Sequence, residues 1–246
     1  MIFRRSFLQF VGAAAFLRSS VFDGEQRESE VPPLVDQVPP MLDHILLGCS
    51  DLQRGIAFVE QPTGVHATFG GVHPGRGTQN ALLSLGPSRY LEIIAPDPQQ
   101  HTDNPLAKSL QSLAEPRIVG WAAHLRSNMD SFAARLKSAG IAADGPTPGS
   151  RKRPDGKELH WQTLSLSDDA NGLLPFFIQW ADASSHPSID APSGCQLLRF
   201  ELLTPDPAAL AKLTSRLALE APIAKAPAPQ LHALIRGLGG TLSIAS

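Results

Sequence analysis

The feature that most constrains how this chain can fold is a pattern met three times: an apolar strand, a polar capping residue, then a short amphipathic helix. The capping positions Asp51, Asn128 and Asp206 stand 77 and 78 residues apart. In the first copy, residues 42–49 read as a strand, and Ser50-Asp51 offers a side-chain acceptor to the free N–H groups of a helix start. Leu52, Ile56 and Val59 then recur at helical spacing until Pro62 and Gly64 end the run. The second copy has a strand over 119–126, Asn128 as cap, an apolar stripe of Met129, Phe132, Ala133 and Leu136, and Gly140 as stop. The third has a strand over 196–203, Asp206 as cap, Pro207 at the first helical position, and Leu210, Leu213 and Leu217 on the stripe. Equal spacing of matching elements indicates duplication, and the period is longer than that of solenoid repeats, so each copy is a small module.

Short strand candidates bounded by Gly, Pro and Asp follow each helix, at 81–85, 90–95, 159–166, 174–180, 230–235 and 241–245. Each unit thus reads strand, helix, then two or three strands. The helix covers one face of such a sheet, and the other face needs a partner. Two sheets paired through those faces make a half-open barrel with a concave side suited to a ligand. The predicted fold class is α+β: repeated βαβββ modules over 41–115 and 116–194 pair into a half-open barrel, and a third, shorter related module occupies 195–246.

The first forty residues differ in kind. Arg4-Arg5-Ser6-Phe7-Leu8, followed by an apolar run to Leu17, resembles a twin-arginine export signal over residues 1–20. Residues 21–40 are polar, carry two Pro-Pro pairs and read as a disordered linker. The expected destination is the periplasm or the exterior, the cytoplasm being the alternative. A formal charge of −2 without a long basic run gives no electrostatic reason to expect nucleic acid as a partner. No apolar run reaches the roughly 18 to 20 residues that cross a bilayer, so no membrane association is expected of the mature form. Cys49 and Cys195 exclude a disulfide framework and leave one bridge or two buried thiols.

Five segments then carry a resemblance: 42–47 (Leu-Asp-His-Ile-Leu-Leu), 73–82 (from His73 to Leu82), 90–97 (from Tyr90 to Asp97), 149–156 (from Gly149 to Gly156) and 175–180 (from Pro175 to Trp180). Together they resemble the glyoxalase-like domain of the vicinal-oxygen-chelate superfamily, over residues 41–246. Metal-dependent members of that superfamily place a histidine on the first strand and a glutamate on the last strand of a module, facing the cavity. The resemblance therefore implies His44 and Glu92 as ligands of one divalent metal (Zn, Fe, Mn or Ni), or as a general acid and base. Strand parity agrees, putting His44 with Leu46 and Gly48 on one face, and Glu92 with Tyr90 and Ile94.

A firmly held metal needs more than two protein ligands. Aligning the caps places Trp121 of the second module where His44 stands, with His124 on the opposite face, and Ile178 or Gln179 where Glu92 stands. Further ligand-binding candidates are His73 and Asn80 around the glycines at 75 and 77, Arg151 for an anionic group, and Trp180 as an aromatic wall. For these the ordinary alternatives are turn formation, a solvated hairpin tip and core packing. Two function classes follow. One is an enzyme of lyase, isomerase or dioxygenase type acting on a small organic, optionally anionic, substrate; the other is a non-catalytic protein that sequesters a small molecule in the same cavity. The third module is expected to cover a sheet edge or to form a homodimer surface.

Overall fold

The first module runs β1 (Leu42–Gly48), α1 (Leu52–Thr63), β2 (Thr68–His73), β3 (Thr78–Ser84) and β4 (Tyr90–Pro96), with a short α2 (Pro105–Gln111) after it. The second runs β5 (Arg117–His124), α3 (Met129–Ser138), β6 (Ala143–Lys152), β7 (Glu158–Leu166), β8 (Phe176–Trp180) and α4 (Pro187–Asp190). The third runs β9 (Gln196–Thr204), α5 (Pro207–Arg216), β10 (Ile223–Lys225), β11 (Gln230–Arg236) and β12 (Thr241–Ala245). This computed structural model describes residues 37–246 except 102 and 126. The segment over residues 1–20 that resembles an export signal, and residues 21–36 of the expected linker, lie outside the described residues.

The three caps work as their side chains dictate: Asp51, Asn128 and Asp206 accept from the backbone N–H of Arg54, Ser131 and Ala209, at 2.8, 3.2 and 3.0 Å. Each such cap stabilises its helix by about 1 kcal/mol. The stripes bury Leu52, Ile56 and Val59 on α1, Met129, Phe132 and Leu136 on α3, and Leu210 on α5.

Eight strands form a barrel in the order β1-β4-β3-β2-β6-β7-β8-β5. Within each half the first strand lies parallel to the last, His44 beside Tyr90 and Ala122 beside Phe176. The halves join along β1 and β5, and again between β2 and β6 through Val72 and Lys152, so the barrel is closed rather than half-open. Every residue of β1 is buried because both its faces are covered: His44 and Leu46 face the barrel interior, while Leu42, Ile45 and Leu47 share a core with Leu52, Ile56 and Val59 of α1.

The third unit keeps the order of elements but not the order of strands. Its separate sheet runs β10-β9-β11-β12, with β10 parallel to β9. It packs on the outside of the barrel, where the Phe200 ring of β9 lies 5.2 Å from that of Trp121 on β5. The turn between β11 and β12 docks on the end of α1, Gly239 N–H donating to Thr63 O at 2.7 Å. A side chain at Gly237 would collide with the Thr63 carbonyl, so the close approach requires glycine there. Gln37 joins this layer: its carbonyl accepts from Phe200 N–H at 2.8 Å and its side chain from Arg199 Nε at 2.7 Å. Among the described residues no helix is long and apolar enough to cross a membrane. Cys49 and Cys195 are free and buried, and burial, with Asp51 nearby, pushes the Cys49 thiol up to about 11.

Candidate functional site

Alternation along the strands decides what faces the barrel interior. His44 and Leu46, Thr78 and Asn80, Tyr90, Glu92 and Ile94, Trp161, Thr163 and Ser165, and Phe176, Ile178 and Trp180 all line one cavity of about 340 Å³. The cavity has two characters. Histidines 44 and 73, Asn80, Glu92 and Arg151 make one side polar, while Phe176, Ile178 and the Trp161–Trp180 pair, with ring centres 5.3 Å apart, make the other apolar.

The polar side is a connected, almost fully buried network. His44 Nδ1 lies 2.7 Å from Asp43 Oδ1, and its Nε2 lies 3.4 Å from Glu92 Oε2. Asn80 Nδ2 donates to Glu92 Oε1 at 2.7 Å, and His73 Nε2 stands 3.7 Å from the same oxygen. Asp43 Oδ2 accepts from Trp180 Nε1 at 3.1 Å and faces His186 Nε2 at 3.2 Å. His186 Nδ1 accepts from the backbone N–H of Ser188 at 3.2 Å, which leaves Nε2 as the donor to Asp43. The His44 ring is stacked on Tyr90, centres 4.6 Å apart, and meets the edge of Phe176 at 5.6 Å.

Consecutive strand residues normally face opposite ways, yet Asp43 reaches the ring of its neighbour His44. The pairing of β1 with β5 supplies the reason: Leu42 sits opposite Ala123 and His44 opposite Ala122, so Asp43 is the extra residue of a bulge.

Burial works against ionising Asp43, but hydrogen bonds from His186 and His44 outweigh it and hold the carboxyl below the usual range. Glu92 behaves alike: burial opposes its charge, while His44, His73, the Asn80 amide and Arg151 together lower it. Burial depresses His73, against the pull of Glu92, and so favours the neutral ring. Its Nδ1 lies 2.9 Å from Thr78 Oγ1. Burial, with Glu92 and Asp43 nearby, pushes Tyr90 well above its ordinary value.

Of the residues singled out in the sequence, His44, Glu92, His73, Asn80, Arg151 and Trp180 come together around the cavity. Trp121 does not. It pairs with Ile45 on the outer face of the barrel, is fully buried against Phe200, and donates from Nε1 to Leu173 O at 2.9 Å. Gln179 also faces outward, accepting from Met129 N–H at 2.8 Å at the start of α3. The reason is a one-residue difference: three positions separate Gly48 from its cap Asp51, and four separate His124 from Asn128. Aligning the caps therefore slips the strand by one, which exchanges its faces. The counterpart of His44 is Ala122, that of Glu92 is Ile178, and His124, paired with Ile178, shares the inward parity at the strand's end. Asp43 and His186 were missed, the first because regular alternation turns it outward. His186 lies in a loop 143 residues from Asp43, and no local pattern marks it.

Ala122 and Ile178 also decide how well a metal fits. The positions where the second module of a metal-dependent relative would add ligands carry a methyl and a butyl group, which donate nothing. Among the described residues no group of three or more His, Cys, Asp or Glu side chains is arranged to hold a metal ion. The donor set does not fit the metal centre implied by the resemblance.

A family model described as "Glyoxalase-like domain" matches residues 42–218. By structure the chain is similar to a hypothetical protein from Staphylococcus aureus, with a TM-score of 0.57 and 16% identity over 83% of this chain and 84% of that one. It is also similar to methylmalonyl-CoA epimerase from Mycobacterium tuberculosis (TM-score 0.44, 22% identity, 59% of this chain and 91% of that one). The Streptomyces coelicolor epimerase in complex with 2-nitronate-propionyl-CoA gives a TM-score of 0.43 at 22% identity, over 59% and 97%. No curated protein matches the sequence.

Proposed function

The chain belongs to the glyoxalase-like domain family of the vicinal-oxygen-chelate superfamily, and on that footing we propose that it is an enzyme that moves a proton on a small organic substrate inside the barrel. The observation that carries this reading is the buried chain Asp43–His44–Glu92. Asp43, held ionised, can only accept, so it fixes the proton of His44 on Nδ1 and turns Nε2 to the cavity. Nε2 and Glu92 Oε2 then face each other at 3.4 Å as two acceptors, an arrangement that is repulsive unless a proton lies between them. The pair is thus a store for one proton beside an apolar chamber. Glu92, steadied by Asn80 on its other oxygen, serves as the base toward a substrate C–H, and His44 as the acid that returns a proton to the product. This is isomerase, epimerase or lyase chemistry, and it needs no ligands from the second module.

The test is solvent exchange. A panel of small carbon acids incubated with the protein in heavy water is followed by NMR for loss of the acidic C–H signal. At least one is expected to exchange with the wild-type protein and to do so about 100-fold more slowly with His44→Gln. Compounds that bind the cavity tightly with no exchange in any case would identify a sequestering protein instead.

A further inference from the structure

We propose that the substrate of this cavity is a carboxylate whose charged group docks on Arg151 while its apolar body lies against Trp161, Trp180 and Phe176. The location of the reacting carbon rests on the proton-transfer reading above; the anion site rests on Arg151 itself.

Arg151 is 4% exposed and lines the cavity, yet among the described residues it forms no ion pair. A buried cation that touches no carboxylate is costly, and native interiors bring such groups into contact. Arg153, two residues along and nearer the surface, is paired twice, with Asp190 and with Asp155 at 3.2 Å. Glu92 attracts Arg151, but Asn80 stands between them: its Oδ1 takes Arg151 Nη1 at 3.5 Å, and its Nδ2 gives to Glu92 Oε1 at 2.7 Å. The neutral amide keeps the guanidinium from collapsing onto the base. Gly70 makes room for this arrangement, since a Cβ there would collide with Arg151 Nη1 and come within 2.5 Å of Asn80 Oδ1.

The guanidinium fork left over matches a carboxylate through two parallel N–H bonds. One carboxamide group separates this fork from the His44–Glu92 pair. The carbon that loses its proton is accordingly one or two bonds from the docked carboxylate, and the rest of the molecule falls on the aromatic side.

Calorimetric titration of the full chain with 3-phenylpropanoate and 3-phenylpropanamide tests the site. The carboxylate is expected to bind at least about tenfold more tightly than the amide. Arg151→Met should erase the preference over the amide, and Arg151→Lys should retain part of it. Equal binding of carboxylate and amide, or an unchanged preference in Arg151→Met, would each overturn the proposal. If Arg151→Met fails to fold, the wild-type probe comparison and Arg151→Lys decide. His44→Gln separates this inference from its premise: carboxylate preference without exchange in any protein removes the proton-transfer reading alone, and exchange without carboxylate preference removes the anion site alone.

Discussion

Asp43 and Glu92 flank one imidazole, and both are held below the ordinary carboxylate range. A carboxyl whose folded pKa is depressed contributes stability that is present above its unfolded value, about 4, and is lost as pH falls through the folded one. His73 acts in the same direction, because a depressed histidine binds its proton in the unfolded chain first, from about pH 6.5 downward. Denaturant unfolding followed against pH should therefore show stability falling from about pH 6.5 and more steeply below about pH 4. His73→Gln should flatten the first part and Asp43→Asn the second, and a stability profile that rises toward acid would contradict the assignment. His44 and Glu92 were legible because strand parity and a family pattern both pointed to them. Asp43 was hidden by a bulge, which belongs to the pairing of two strands and has no signature in either alone.

On β5 and β8 successive side chains take opposite faces of the barrel wall, and the two faces should answer differently to substitution. Trp121→Ala removes a fully buried ring between the barrel and the third sheet and should cost about 3–5 kcal/mol while leaving cavity binding unchanged. Trp180→Phe keeps most of the wall but removes the donor to Asp43 Oδ2, so it should slow proton exchange with a smaller loss of stability. Thermal unfolding together with ligand titration of both variants checks this, and weaker ligand binding by Trp121→Ala in its folded state would put that ring back in the cavity. Capped helices and alternating strands were readable here because each depends on residues a few positions apart. The facing of β5 was not, since one additional loop residue before Asn128 shifts the strand against its cap. Strand order in the third unit was equally hidden, because β9 could take β10 and β11 as neighbours without any change of local pattern.

The whole molecule divides its work: module one supplies His44, Glu92 and Asn80, which the proposed reaction uses, module two the aromatic wall and Arg151, and the third sheet seals the outer face of β5. Because Gln37 is bonded to Phe200 and Arg199, a chain beginning at residue 37 should be about 1 kcal/mol more stable than one beginning at 41, by denaturant titration. Equal stability would show those bonds to be without weight. The metal reading also meets its test at this scale. Treatment with a chelator should leave both unfolding temperature and exchange rate unchanged, whereas loss of exchange restored by zinc, iron, manganese or nickel would make His44 and Glu92 metal ligands after all. The central claim, that His44 and Glu92 share one proton and act as a unit, is tested most directly by the exchange rates of the wild-type protein, His44→Gln, Glu92→Gln and the double variant. A unit predicts that the double variant is no slower than the slower single variant. Losses that multiply would show two groups acting independently and would contradict the account.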